Sequence, residues 1–400
     1  MMKIAIVSDM HIGYERFYDD ALKQAREALE RACALADMII IPGDVFDKRA
    51  PKPEVIASAI NIFRNISRRD WSARLVDFRG EKRAFTEVPV IAISGTHERT
   101  AAGKDNPLNL LALAGLLVDA SESTAIVEKD GEKVAVYGLG GLSEERVLDK
   151  INELRPSPVP GAFNIFMFHQ SVYEILPFSD MFIRYADLPA GFDLYVDGHI
   201  HSRVEASVHG KPFIIPGSTV LTQLKDGEQA PKGFVVFDTA TRSWDFIEIN
   251  SRAMYAETVE LDGAEPSTLL KSCEEIIERS IARGKPNPII RIKVIGSIAE
   301  GFSKTDMPVQ SLVMKFTGRA VIEIDQSRLI SEETERRTDE IRNLKAGGAT
   351  VKEMGLAMLI ERLKSDGFPD SIDASELFVV LGSQSKKEKV MEDAAAMLGT

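Results

Sequence analysis

Lys3-Ile4-Ala5-Ile6-Val7-Ser8-Asp9-Met10-His11-Ile12-Gly13 is an apolar run that breaks abruptly into an acid, a histidine and a glycine. A short apolar run that passes straight into polar residues suits a first buried strand better than a signal peptide. The same pattern returns at Met38–Ile41, Val88–Ile93, Ile165–Phe168 and Leu194–Val196. Between the first two runs, Leu22, Ala25, Leu29 and Ala32 recur at helical spacing within Asp19–Ala36. Strand–helix–strand with a connection of this length implies parallel strands and a right-handed crossover. From Ser202 onward the pattern turns to hairpins. His209-Gly210 separates Val204–Val208 from Phe213–Ile215, and Thr239–Arg242 separates Phe234–Phe237 from Trp244–Ile249. The expectation for 1–250 is an α/β unit of two packed sheets with helices outside.

The totals set the frame. Four hundred residues exceed one ordinary core, so two or three domains are expected. At 44% hydrophobic and 28% charged the composition is that of a globular protein. No stretch approaches the roughly 18 consecutive apolar residues of a membrane span. The cysteines, Cys33 and Cys273, lie far apart without metal-type spacing, which predicts an intracellular, cytoplasmic protein without disulfides. A net charge of −12 argues against an indiscriminate nucleic-acid coat protein. It does not exclude a nuclease, because bound cations and a local basic surface can meet phosphates.

Active groups in open α/β sheets gather beyond the carboxyl ends of strands. Asp9 and His11 follow the first strand, Asp44 and Asp47 the second, and Thr96 and His97 the third; His169 follows Phe168, and His199 and His201 follow Leu194–Val196. Of the chain's 6 histidines only His209 falls elsewhere, in a hairpin turn. A lone histidine after a strand is ordinarily structural. In Gly198-His199-Ile200-His201, however, residues two apart in an extended segment point the same way and can share a site. Imidazole with carboxylate suits manganese, iron or zinc, and the absence of cysteine argues against structural zinc. The candidates exceed what one ion needs. They fit a pair sharing a carboxylate, roughly 3.5–4 Å apart, which acts naturally on a phosphate ester. Other motifs fail: His97-Glu98-Arg99-Thr100-Ala101 lacks the second histidine of a zinc-protease helix, and no P-loop spacing occurs.

Together, Asp9-x-His11, Gly43-Asp44-x-x-Asp47, Gly95-Thr96-His97-Glu98, His169 and Gly198-His199-x-His201 resemble the calcineurin-like metallophosphoesterases, in the usual order. Ser8–Gly13 and Gly43–Asp47 resemble most closely its branch of double-strand-break repair nucleases, the bacterial SbcD and archaeal or eukaryotic meiotic-recombination type. The resemblance implies a two-sheet α-β-β-α metallophosphoesterase sandwich that binds two Mn2+ ions and cuts DNA as exonuclease and endonuclease. It also implies roles. Asp9, His11 and His201 would hold the first ion, with Asp44 bridging. His169, His199 and position 96 would complete the second. His97 would contact the scissile phosphate and protonate or stabilise the leaving side, and Asp47 would orient a ligand. The family usually has Asn where this chain has Thr96. Either Thr96 ligates at closer approach or water replaces it, and weaker binding of the second ion is expected.

Arg64–Arg83 carries Arg64, Arg68, Arg69, Arg74, Arg79, Lys82 and Arg83 against Asp70, Asp77 and Glu81, with Trp71 and Phe78 interleaved. It reads equally as a track for a phosphate backbone or as a solvated helix and loop. Val55–Ile66 and Leu108–Val118 read as helices apolar on nearly all faces, and related nucleases form a homodimer through helices at these places. Residues 251–326 read as a small α+β unit: strands at Tyr255–Leu261, Pro288–Ile295 and Ala320–Ile324, a helix between Pro266 and Gly284, and another at Val309–Phe316. By resemblance this is a DNA-capping domain. A charged linker over 327–349 follows, then a helical region over 350–400 opened by capping boxes at Thr350-Val351-Lys352-Glu353 and Ser385-Lys386-Lys387-Glu388. The resemblance makes this region the binding segment for an SbcC-type SMC-like coiled-coil ATPase. Two rival functions stand beside the nuclease: a phosphatase or phosphodiesterase of small substrates, and a non-catalytic phosphoesterase-like scaffold in a repair complex.

Overall fold

In a computed structural model of the chain, the described residues are 1–79, 88–99, 105–224, 229–330, 350–365 and 373–381. They fall into two compact units: Met1–Ala256 with Gly284–Ile289, and Glu257–Arg283 with the chain from Ile290 onward. No helix among the described residues is long and apolar enough to cross a membrane. Glu81, Lys82 and Arg83 of the basic stretch, 331–349 of the expected linker and the helix expected from Ser385 lie outside the described residues.

In the first unit the strands are β1 (Lys3–Ile6), β2 (Met38–Ile41), β3 (Arg74–Arg79), β4 (Val90–Ala92), β5 (Val118–Asp119), β6 (Ser123–Lys129) and β7 (Glu132–Leu139). They continue with β8 (Phe163–Phe168), β9 (Leu194–Asp197), β10 (Val204–Val208), β11 (Lys211–Ile215), β12 (Gly233–Asp238) and β13 (Ser243–Glu248). One sheet runs β13-β12-β1-β2-β4-β5, the other β10-β11-β9-β8-β7-β6-β3. Alternation along each strand sends successive side chains to opposite faces. Ile4, Ile40 and Ile91 of the first sheet therefore meet Val136, Ile165, Met167 and Val196 of the second in a shared core. Ala5, Ile39 and Val90 face outward under α1 (Tyr18–Leu35), α2 (Pro53–Ser67) and α3 (Pro107–Leu113). On the far side Phe166, Phe168 and Tyr195 pack with Val147 and Ile151 of α4 (Glu144–Leu154). The result is the expected α-β-β-α sandwich. The apolar runs form parallel strands, β1 beside β2 and β8 beside β9, because both their faces are covered.

Three local expectations need correction. Leu108–Val118 is not one helix: α3 ends at Leu113, Gly115 adopts φ +71°, and Val118 already belongs to β5. Nor are α2 and α3 buried all round. Val55, Ile62, Phe63 and Ile66 are buried in α2, whereas Leu110 and Leu113 of α3 are 41% and 62% exposed. The basic stretch is not a helix and loop throughout, since Arg74–Arg79 forms an edge strand against β6, with a register irregularity between Leu75 and Asp77. The β6–β7 hairpin was not anticipated. Its Asp130-Gly131 turn, at φ +51° and +82°, is the tight-turn pair that matches strand twist.

The second unit contains a three-stranded sheet in the order β14 (Met254–Ala264), β15 (Ile289–Ile298), β16 (Val321–Ile330). Its helices are α5 (Pro266–Ile281) and α6 (Val309–Lys315), and its core includes Leu269, Cys273, Ile277, Ile292, Val294 and Phe316. β16 extends to Ile330, past Ile324 and into the stretch expected as linker. Helices follow at Val351–Ser365 and Ala374–Leu381. The expected capping box at Thr350 forms, with Thr350 N–H donating to Glu353 Oε2 at 2.7 Å and Glu353 N–H to Thr350 Oγ1 at 3.3 Å.

Candidate metal centre

Every candidate follows the carboxyl end of a parallel strand: Asp9 and His11 after β1, Asp44 after β2, Thr96 and His97 after β4, His169 after β8, His199 and His201 after β9. The loops turn sharply to bring them together. Asp9, His11, Asp44 and His199 all lie in the left-handed region, at φ +49°, +44°, +48° and +67°, a conformation that surrounding structure must enforce at non-glycine residues. Glycines permit the close approach. A Cβ on Gly43 would stand 2.3 Å from His169 Nδ1, and one on Gly95 2.1 Å from Asp44 Oδ1.

Among the described residues three groups of possible ligands result, Asp9–His11–His201, Asp44–His169–His199 and His11–Asp44–His97, each with its donor atoms within 4.8 Å of one another. In the first group His11 Nε2 and His201 Nε2 are 3.1 Å apart, and both face Asp9 Oδ1, at 3.9 and 3.7 Å. In the second, His169 Nδ1 donates to the Pro42 carbonyl at 2.7 Å. In the neutral ring, the form a cation binds, this leaves Nε2 as the lone-pair nitrogen; it is buried, 3.2 Å from Asp44 Oδ2, and not aligned to make a hydrogen bond. An orphaned imidazole nitrogen facing a carboxylate, its other nitrogen fixed by a carbonyl, is the arrangement a divalent cation requires. Thr96 Oγ1 lies 3.4 Å from the same Asp44 oxygen. The donor set fits the ions.

The electrostatics express the same demand. Burial acts to raise Asp44, but His169, with His11 and His97, outweighs it and together they hold the carboxyl well below its usual range. Burial acts to lower His169, but Asp44 and Asp9 carry it up to about 10. Asp9 is pushed up by burial against the pull of His169. Burial and then His169 push His199 down to about 4, while burial and then His11 push His201 down to about 2. Both rings are therefore neutral near pH 7, with lone pairs available for a cation.

His97 is the most open member, with its side chain 44% exposed. Its backbone N–H donates to Asp44 Oδ1 at 2.9 Å and its Nδ1–H to the Asp47 carbonyl at 2.6 Å. Nε2 is thereby left as the acceptor. Asp47 also faces His11 Nδ1 with Oδ1 at 3.4 Å, so it orients one ring through its backbone and borders another through its side chain.

Sequence reasoning assigned no role to several neighbours. Glu98, fully buried, accepts Phe46 N–H on Oε1 and Gly95 N–H on Oε2, each at 2.9 Å. It ties the loop bearing Asp44 to the loop bearing His97, and burial, then Asp44, push it up to about 8. Its place in Gly95-Thr96-His97-Glu98 was the available signal. Asp197, which takes Gln170 N–H at 3.0 Å, and Thr222, which hydrogen-bonds His201 Nδ1, gave none.

Two layered sheets with a histidine–carboxylate cluster beyond their strand ends are the architecture of a metal-dependent phosphoesterase. The sequence matches the family described as calcineurin-like phosphoesterase over residues 2–203, and the chain belongs to that family. It is also similar to the DNA double-strand break repair protein Mre11 of Methanopyrus kandleri, at 26% identity over 362 residues, which is 83% of this chain and 72% of that protein. With Mre11 of Sulfolobus acidocaldarius it shares 25% identity over 313 residues, covering 74% of this chain and 76% of the other. With the double-strand break repair protein MRE11 of Oryza sativa subsp. indica it shares 26% over 386 residues, 80% of this chain but 54% of the rice protein. The chain thus spans about half of that plant relative.

Proposed function

We propose that this protein is a manganese-dependent DNA nuclease that processes double-strand-break ends by two-ion phosphodiester hydrolysis, working as a homodimer with an SbcC-type SMC-like ATPase. The observation that carries the reading is the convergence of the two groups Asp9–His11–His201 and Asp44–His169–His199 beside an open His97. The similarity to Mre11 proteins of archaea and a plant supports DNA as the substrate. On this reading Asp9, His11 and His201 would hold one ion and His169, His199 and Thr96 the other, with Asp44 available to both. Bound there, the ions would ionise a water and polarise the phosphate. His97, whose Nδ1–H is tied to the Asp47 carbonyl, would offer Nε2 to the phosphate and, once protonated there, supply the proton needed by the leaving oxygen. Residues 1–250 would form the nuclease domain, 251–326 the DNA cap, 327–349 a linker and 350–400 the ATPase-binding segment.

Release of nucleotides from duplex DNA with manganese, measured against turnover of small phosphate esters, tests the substrate. DNA cleavage supports the proposal; ester turnover alone supports the phosphatase, and neither activity the scaffold.

Thr96 should make the two ions unequal. Its hydroxyl reaches the Asp44 oxygen at 3.4 Å, whereas an Asn amide oxygen would extend one bond further. Calorimetric titration of Thr96→Asn with manganese is expected to tighten the weaker class of site by about tenfold, the lower end of the change seen when a group supporting a metal ligand is altered. Identical affinities at both sites in the two proteins would sink the idea.

The half-exposed Leu110 and Leu113 on α3 support the homodimer, since covering the rest of each is worth about half of the roughly 1.5–3 kcal/mol of a full burial. Sedimentation should report a dimer for the native chain and a monomer for Leu113→Glu; a charge tolerated there with no change in mass would place the interface elsewhere.

A further inference from the structure

We propose that Thr222 is a positioning residue that sets the ring orientation and tautomer of His201 for one ion of the pair, an inference that rests on reading Asp9, His11 and His201 as half of a two-ion site. Thr222 Oγ1 hydrogen-bonds His201 Nδ1. When Nδ1–H donates to that hydroxyl, the lone pair is on Nε2, which is 3.1 Å from His11 Nε2 and 3.7 Å from Asp9 Oδ1. The opposite tautomer would put a proton in that space and close the group to a cation.

Thr222 is itself held in place. Tyr14 Oη donates to the Thr222 carbonyl at 2.6 Å. The His201 carbonyl accepts Ser218 N–H at 3.1 Å and the ammonium of buried Lys232 at 3.2 Å, and Lys232 also donates to Ser218 Oγ at 3.0 Å. Thr219 N–H donates to the Asp9 carbonyl at 3.4 Å. The stretch from Ser218 to Thr222 therefore fastens Asp9 and His201 from behind. His169 differs, because its Nδ1 is fixed by the Pro42 backbone carbonyl and depends on no side chain. A change at position 222 should consequently be felt by one ion and not by the other.

The test is calorimetric manganese titration of the full chain, wild type against Thr222→Val, Thr222→Ser and Tyr14→Phe, with thermal unfolding in chelator as the control for folding. Thr222→Val is expected to weaken one class of site by roughly 10- to 100-fold, the range seen when a group orienting a ligand is removed, and Thr222→Ser to stay within about threefold of wild type. Tyr14→Phe should weaken the same class by less, and it carries the test if Thr222→Val fails to fold. Equal weakening of both classes, or of neither, overturns the inference. A wild-type chain that binds no manganese overturns the two-ion reading itself.

Discussion

Asp44→Asn is expected to abolish manganese-dependent DNA hydrolysis, with a loss on the order of 10³-fold or more, because an ion bridge supplies several kcal/mol and each 1.36 kcal/mol is tenfold. The substitution is nearly isosteric and keeps an oxygen for His97 N–H, which now donates to Asp44 Oδ1 at 2.9 Å. What it removes is the charge that faces His169 Nε2 at 3.2 Å and belongs to two of the three ligand groups. Metal binding should fail with activity, so calorimetry should show both classes of manganese site weakened. A variant that keeps both ions and full activity would remove Asp44 from the bridging position.

His97→Gln separates chemistry from metal binding. It should reduce hydrolysis by about 10²–10⁴-fold, the range for a positioned proton-transfer group, while both manganese affinities stay near wild type. The reason is its place in the site: His97 is anchored by its backbone to Asp44 and by Nδ1 to the Asp47 carbonyl, with its side chain 44% exposed. Gln can replace the hydrogen bond to Asp47 but cannot shuttle a proton near neutral pH. Nuclease activity unchanged by the substitution would show this account of the mechanism to be wrong; loss of one ion would instead make His97 a ligand, as its grouping with His11 and Asp44 allows.

Much of this was legible because both sheets are covered on both faces where the parallel strands lie. Ile4–Val7, Met38–Ile41 and Phe166–Phe168 had to be continuous apolar runs, and the polar residues ending them marked the loops that converge. The β6–β7 hairpin was harder to see, since Glu128, Lys129, Glu132 and Lys133 give its ends a solvated look; the Asp130-Gly131 turn was the overlooked sign. Leu108–Val118 misled because apolar content does not distinguish a helix from a helix, a glycine turn and a short strand. The residues behind the ligands were not legible at all. Thr222 stands 21 positions from His201 and meets it only through the fold, and no local periodicity encodes such a contact. Glu98 was visible as a letter in a motif, but its work, joining Phe46 N–H to Gly95 N–H, depends on two loops from different strands.

Two divalent ions held by this cluster would hydrolyse DNA. A metal-omit nuclease assay settles this: the metal-stripped chain is given labelled duplex and single-stranded DNA, with manganese, magnesium or zinc added back. The expected result is no cleavage without metal, restoration by manganese, and a titration that requires two ions per chain. Cleavage that persists in chelator, or hydrolysis confined to small phosphate esters whichever ion is supplied, would contradict it.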